Sequence, residues 1–102
     1  MAKLVVLYKK PADPAAFDRY YFEKHAPLAK KIPGLRKYET SRGAIGTPEG
    51  ASTVHLIAIL DFDSLTAIQA AFASPEGQVA AADIPNFATG GADLMFFESE
   101  DV

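Results

Sequence analysis

Along this chain the spacing of hydrophobic positions changes repeatedly, and the changes divide it into strands and helices. Leu4 to Tyr8 is an unbroken apolar run with β-branched residues, closed by Lys9-Lys10-Pro11. It is too short for a stable helix, so the pattern predicts a strand buried on both faces. Asp13-Pro14 signals a helix start: the aspartate can accept from free first-turn amides, and proline fits a position whose N–H has no partner. Phe17, Tyr20, Tyr21 and Leu28 then follow helical spacing, with Arg19 and Glu23 opposite them as an i, i+4 pair. Pro27 disfavours helical geometry at Ala26, so the helix is expected to end or kink just after His25.

Pro33-Gly34 makes a second stop. Leu35 to Gly43 reads as a strand with one exposed face, and the Gly- and Pro-rich Ala44 to Ser52 as a loop. Thr53 to Phe62 alternates cleanly: Val54, Leu56, Ala58, Leu60 and Phe62 share one face, and His55, Ile57, Ile59 and Asp61 the other. Ser64 caps a helix with the stripe Leu65, Ile68 and Phe72, Ser74-Pro75 restarts a helical segment around Val79 to Ala82, Gly90-Gly91 turns, and Leu94 to Glu98 closes the chain as a strand. The resulting order, β-α-β-β-α-β, predicts an α+β, ferredoxin-like fold: a four-stranded antiparallel sheet with both helices on one face. Because three strands are apolar on both faces, the open sheet face calls for a cover, most economically a second copy of the chain in a homodimer.

Composition narrows the function classes. The 102 residues suit one domain, 1–102, and the balance of 49% hydrophobic and 23% charged residues is that of a chain that folds. With a net charge of -3 and no basic stripe, no nucleic-acid partner is expected. The longest apolar runs fall far short of the roughly 20 residues of a membrane span, and the N-terminal run is too short for a signal sequence, so a cytoplasmic protein with no membrane partner is expected. There is no cysteine, which removes disulfides, thiolate metal sites and a cysteine nucleophile. Gly90-Gly91 lacks the spacing of a phosphate loop, and no serine sits in a nucleophile elbow.

What chemistry is left centres on two histidines. Tyr21 and His25 stand four residues apart on the flank of the helix stripe; His25 either caps carbonyls at a helix end or serves as an acid or base near neutral pH. His55 either reaches solvent near a strand end or meets a ligand. Asp61 either organises the next helix start or lines a pocket. No ligand spacing argues for a metal.

The block Phe17-Asp18-Arg19-Tyr20-Tyr21-Phe22-Glu23-Lys24-His25-Ala26-Pro27-Leu28-Ala29, followed by Ile32-Pro33-Gly34-Leu35, resembles the signature of the EthD family, named for ethyl tert-butyl ether degradation. The likeness continues through Phe62-Asp63-Ser64-Leu65, Ala73-Ser74-Pro75-Glu76-Gly77 and Asn86-Phe87. It implies a subunit of the dimeric alpha-beta barrel superfamily, whose members act on small, aromatic or polyketide-like molecules as monooxygenases, cyclases, dehydratases and lactone isomerases, several without a metal or organic cofactor. On that resemblance no cofactor is expected and His25 is the catalytic candidate; in the enzyme reading Tyr21, Tyr38 and Phe87 position a small organic ligand, and His55 and Asp61, from their shared strand face, are further candidates for its pocket. The reading from another class is a noncatalytic dimeric binding or stability module, whose pocket carries a ligand or is vestigial.

Overall fold

The computed structural model describes residues Met1–Val102. Strand β1 (Ala2–Lys9) runs through the middle of the sheet, between β5 (Val54–Phe62) and β6 (Ala92–Glu98), and β2 (Lys37–Thr40) forms the other edge. All three pairings are antiparallel, in the order β2-β5-β1-β6. This is the ferredoxin-like arrangement that the strand and helix order predicts. Between β2 and β5 a two-residue ladder, β3 (Gly46–Thr47) with β4 (Gly50–Ala51), makes a small hairpin within the stretch expected to be loop.

Helix α1 (Pro14–Tyr20) starts as its sequence demands, with Asp13 accepting from the Ala16 amide at 3.1 Å. The helical path does not end at His25. It widens into a π turn, Tyr21–His25, in which the Ala26 amide reaches back to the Tyr21 carbonyl, and then resumes as α2 (Ala26–Ala29). Pro27 has no N–H to give and its ring would crowd a carbonyl in regular α spacing, so the helix accommodates it by a change of hydrogen-bond register instead of a break. The π turn has a second effect. Residues four apart drift by roughly 40° per step around a regular α-helix, yet Phe17, Tyr21, His25 and Ala29 are all buried, because the wider turn takes up that drift. Tyr21 and His25 therefore lie at the centre of the buried stripe and not on its flank, and Arg19 and Glu23 form no ion pair.

Helices α3 (Leu65–Ala73) and α4 (Pro75–Asp83) meet at Ser74, whose hydroxyl oxygen accepts from the Gly77 amide while its O–H is donated to the Ala71 carbonyl. Gly77 is obligatory there: a Cβ would stand 1.9 Å from the Ala71 oxygen. The helices cover one sheet face, where Ala2, Leu4, Val6 and Tyr8 of β1 and Leu56, Ala58, Leu60 and Phe62 of β5 are buried. On the other face Val5, Leu7, Ile57 and Ile59 are only half-buried and Met95 and Phe97 are exposed, so β1 is not sealed on both sides within this chain.

Candidate functional site

Between the helices and the covered sheet face lies a cavity of about 50 Å³. Seventeen of its 19 lining residues are hydrophobic, and the other two are Gly77 and His25. One imidazole thus projects into an otherwise apolar space. The site lies on the helix side of the sheet and not on the open face where a second copy would pack.

The position of His25 follows from its neighbours. The π turn aims it inward, the Phe87 ring packs against it with centroids 4.7 Å apart, and Tyr21 flanks it at 5.3 Å. Its Nδ1 lies 3.0 Å from an Asp83 carboxylate oxygen at the end of α4. The other oxygen of Asp83 accepts from the Tyr20 hydroxyl at 2.6 Å and from the Asn86 amide at 3.0 Å. Burial would lift the Asp83 carboxyl, but the bonds from Tyr20, Asn86 and His25 outweigh it and hold the group below the ordinary carboxylate range. Burial also pulls His25 below its ordinary 6.5, against a smaller opposing pull from Asp83. At neutral pH the pair is therefore a neutral imidazole and a carboxylate. An ionised carboxylate only accepts hydrogen bonds, so Nδ1 carries the proton and Nε2 keeps its lone pair.

Nε2 has no partner in the protein, while no fully buried side-chain nitrogen or oxygen of the molecule lacks one; Nε2 therefore opens onto free space. Around the same cavity stand three tyrosines. Tyr21 and Tyr38 share a hydrogen bond between hydroxyls, and Tyr8 packs edge-on to Tyr21. Burial pushes all three phenols well up, so they remain protonated donors across the physiological range. A base and neutral hydroxyl donors in one apolar cavity are the parts needed to remove a proton and steady the resulting oxyanion. No group of three or more His, Asp or Glu side chains converges where it could hold a metal ion.

Of the residues singled out in the sequence, His25, Tyr21 and Tyr38 line this cavity together, and Phe87 backs His25 from outside the lining. His55 and Asp61 stand elsewhere. A bulge in β5, where Tyr8 faces Leu56 but Lys9 faces Val54, leaves His55 as the extra residue. It turns out of the strict alternation to the helix side, edge-on to Phe17 at 4.9 Å and with Nε2 2.8 Å from Asp18. Asp61 lies on the open face, ion-paired with Lys3 at 2.9 Å. Asp83, Tyr20 and Tyr8 escaped sequence reasoning. Asp83 is 58 positions from His25, beyond any helical spacing, and Tyr8 and Tyr20 read as ordinary core aromatics.

The EthD domain model matches residues 9–91. A curated relative from Rhodococcus erythropolis, described as an uncharacterised 11.0 kDa protein in the thcB-thcC intergenic region, is 42% identical over 104 residues, covering 100% of this chain and 98% of its own. The crystal structure of an ethyl tert-butyl ether (EthD) family protein from Bacillus halodurans is 39% identical, with a TM-score of 0.90 over 98% of this chain and 99% of that one. Two more distant structures share the fold. SnoaB from Streptomyces nogalater, described as a cofactor-independent oxygenase, is 17% identical with a TM-score of 0.68, over 99% of this chain and 94% of that one. A dimeric ferredoxin-like protein of unknown function from Bacteroides fragilis is 21% identical with a TM-score of 0.66, over 96% and 95%.

Proposed function

The chain belongs to the EthD family, and on that premise we propose that it is an enzyme in which His25, oriented by Asp83, is the general base for a small, uncharged, apolar organic substrate. The observation that carries this reading is the His25 geometry: a ring on the cavity wall with Nδ1 tied to Asp83 and Nε2 free of any protein partner. Asp83 fixes the tautomer and steadies the imidazolium once His25 has taken a proton, a division of labour also used in catalytic triads. The substrate carries a weakly acidic O–H or C–H. Its anion is met by the member of the Tyr21–Tyr38 hydroxyl pair whose hydrogen is not donated to the other.

No lysine or arginine lines the cavity, so a substrate already carrying a carboxylate would have to bury that charge unpaired. At about 50 Å³, where a water needs ~10–15 Å³, the cavity itself holds only a compact molecule. A larger one extends through the rim at Leu94, which lines the cavity and is 42% exposed. Cofactor-independent proton or oxygen chemistry on phenolic or enolisable compounds fits these parts, and a fold neighbour carries a description of that kind.

The working unit in this reading is a homodimer. Val5, Leu7, Ile57, Ile59, Met95 and Phe97 form an apolar centre on the open sheet face, with the Lys3–Asp61 ion pair at its border. A second copy seals that patch, in line with the description of a fold neighbour as dimeric. We place it in a degradation pathway, in accord with the family name, and in the cytoplasm.

The test is His25→Ala, assayed for turnover over a panel of phenols and lactones alongside the unaltered protein, with its fold and assembly state verified. Loss of turnover by two or more orders of magnitude is expected, as for a general base. Full activity in a folded His25→Ala protein would refute the assignment, and binding without turnover by the unaltered protein across the panel would favour the noncatalytic module.

A further inference from the structure

A second cleft, larger than the first at about 310 Å³, opens at the far end of the sheet. It is walled by the end of β1, the outer face of α1, the start of β5 and the residues around the β3–β4 hairpin. Its character is mixed. Phe22, Ile45, Val54 and Leu56 give it an apolar side. Lys10 and Arg42 give it two cations that no acidic side chain of the chain engages.

The other polar groups there are organised as donors. Ser41 and Ser52 each accept a backbone amide, from Ile57 and Val54, which leaves both hydroxyl hydrogens free to donate. The sole carboxylate of the wall, Asp18, is engaged by His55 at 2.8 Å, and it is the β5 bulge that brings His55 there. The cleft thus carries a positive balance in a chain whose net charge is -3. Phe22, 51% exposed, is braced edge-on by Tyr21 at 5.1 Å, so its ring is held as a platform instead of lying folded into the core.

We propose that this cleft is a binding site for a small organic carboxylate, whose charged end is held by Arg42 and Lys10 with the serine hydroxyls and whose apolar body lies on Phe22. Arginine presents a planar fork that matches a carboxylate, and a flat ligand laid on the exposed Phe22 ring removes its apolar face from water. The site is chemically the opposite of the His25 cavity, which has no cation on its wall. Phe17 separates the two: its ring stacks on Tyr21 at 5.8 Å and takes His55 edge-on at 4.9 Å. This assignment stands independently of the catalytic reading.

The experiment is an amide NMR titration of the full chain with benzoate, inorganic phosphate and benzyl alcohol, repeated in Arg42→Gln, Lys10→Gln and Phe22→Ala. Lys10, Arg42 and Phe22 are exposed, so the variants keep the fold, which the amide spectra verify. Benzoate is expected to shift the amides of Ser41, Arg42, Gly43 and Ser52 saturably. Its affinity should fall about tenfold in Arg42→Gln, the size of one lost charge-assisted bond, and less in the other two variants. Phosphate and benzyl alcohol, each lacking half of the recognised chemistry, should bind far more weakly. Absence of saturable benzoate shifts at these amides, or benzoate affinity unchanged by Arg42→Gln, overturns the proposal. Phosphate binding as tightly as benzoate overturns the organic part of it.

Discussion

Replacing Asp83 by asparagine keeps the shape of the residue and removes its charge, and the structure fixes how much should follow. Three donors meet this carboxylate: His25 Nδ1 at 3.0 Å, the Tyr20 hydroxyl at 2.6 Å and the Asn86 amide at 3.0 Å. A bond to a charged group contributes ~1.5–3 kcal/mol and a neutral one ~0.5–1.5, so each of the three loses about 1 kcal/mol, and an asparagine NH₂ turned toward one of them replaces an acceptor with a donor. The side chain is only 9% exposed, so solvent does little to soften the change. Asp83→Asn should lose about 3 kcal/mol of unfolding free energy, which at ~4–8 °C per kcal/mol in a domain of this size exceeds 10 °C in Tm.

The pH dependence is informative in sign. Both His25 and Asp83 have folded values below their ordinary ones, so each contributes stability above its ordinary value that is lost as pH falls toward the folded value. For His25 the window begins at 6.5 and for Asp83 at 3.8. Asp83→Asn should abolish the lower window and deepen the upper one, because the only group raising His25 has gone. Urea unfolding across pH, with the His25 ring followed by NMR, measures both. Stability within about 0.5 kcal/mol of the original, with an unmoved His25 titration, would refute the reasoning that this carboxylate organises the site.

Tyr38→Phe removes one member of the hydroxyl pair and strands its buried partner Tyr21, so it should cost about 1–3 kcal/mol in urea unfolding and lower turnover more than substrate affinity. Ile57→Glu, on the open sheet face, should leave the subunit folded but shift the assembly to monomer in light scattering; an unchanged dimer would move the interface elsewhere. Gly77→Ala should destabilise by roughly 2 kcal/mol or more, even though alanine is the better helix former, because its Cβ would meet the Ala71 carbonyl; equal or raised Tm would mean that the α3–α4 elbow can yield.

Strand and helix order was legible because the apolar spacing and the caps agree. Asp13, Ser64 and Ser74 cap helices in the structure as their positions suggest, and the alternation of β5 from Leu56 onward is real. Two local events were not legible. The π turn arises from competition between Pro27 and the burial of a four-residue repeat, and single-residue preferences say only that the helix is disturbed there. The bulge at His55 depends on the register between β1 and β5, a pairing between distant segments, so strict alternation assigned that histidine to the wrong face. The candidate site was half visible: Tyr21 and His25 are local neighbours, Tyr38 entered with the enzyme reading, and Asp83 with Tyr20 becomes visible only when α4 is laid against the π turn.

The central claim is that His25 presents a free lone pair at Nε2 because Asp83 holds the proton on Nδ1. A long-range nitrogen–proton NMR correlation of the His25 ring at neutral pH reads this directly. The account predicts an unprotonated Nε2 resonance beside a protonated Nδ1, with the latter lost or redistributed in Asp83→Asn. A ring protonated at Nε2, or doubly protonated at neutral pH, would contradict it.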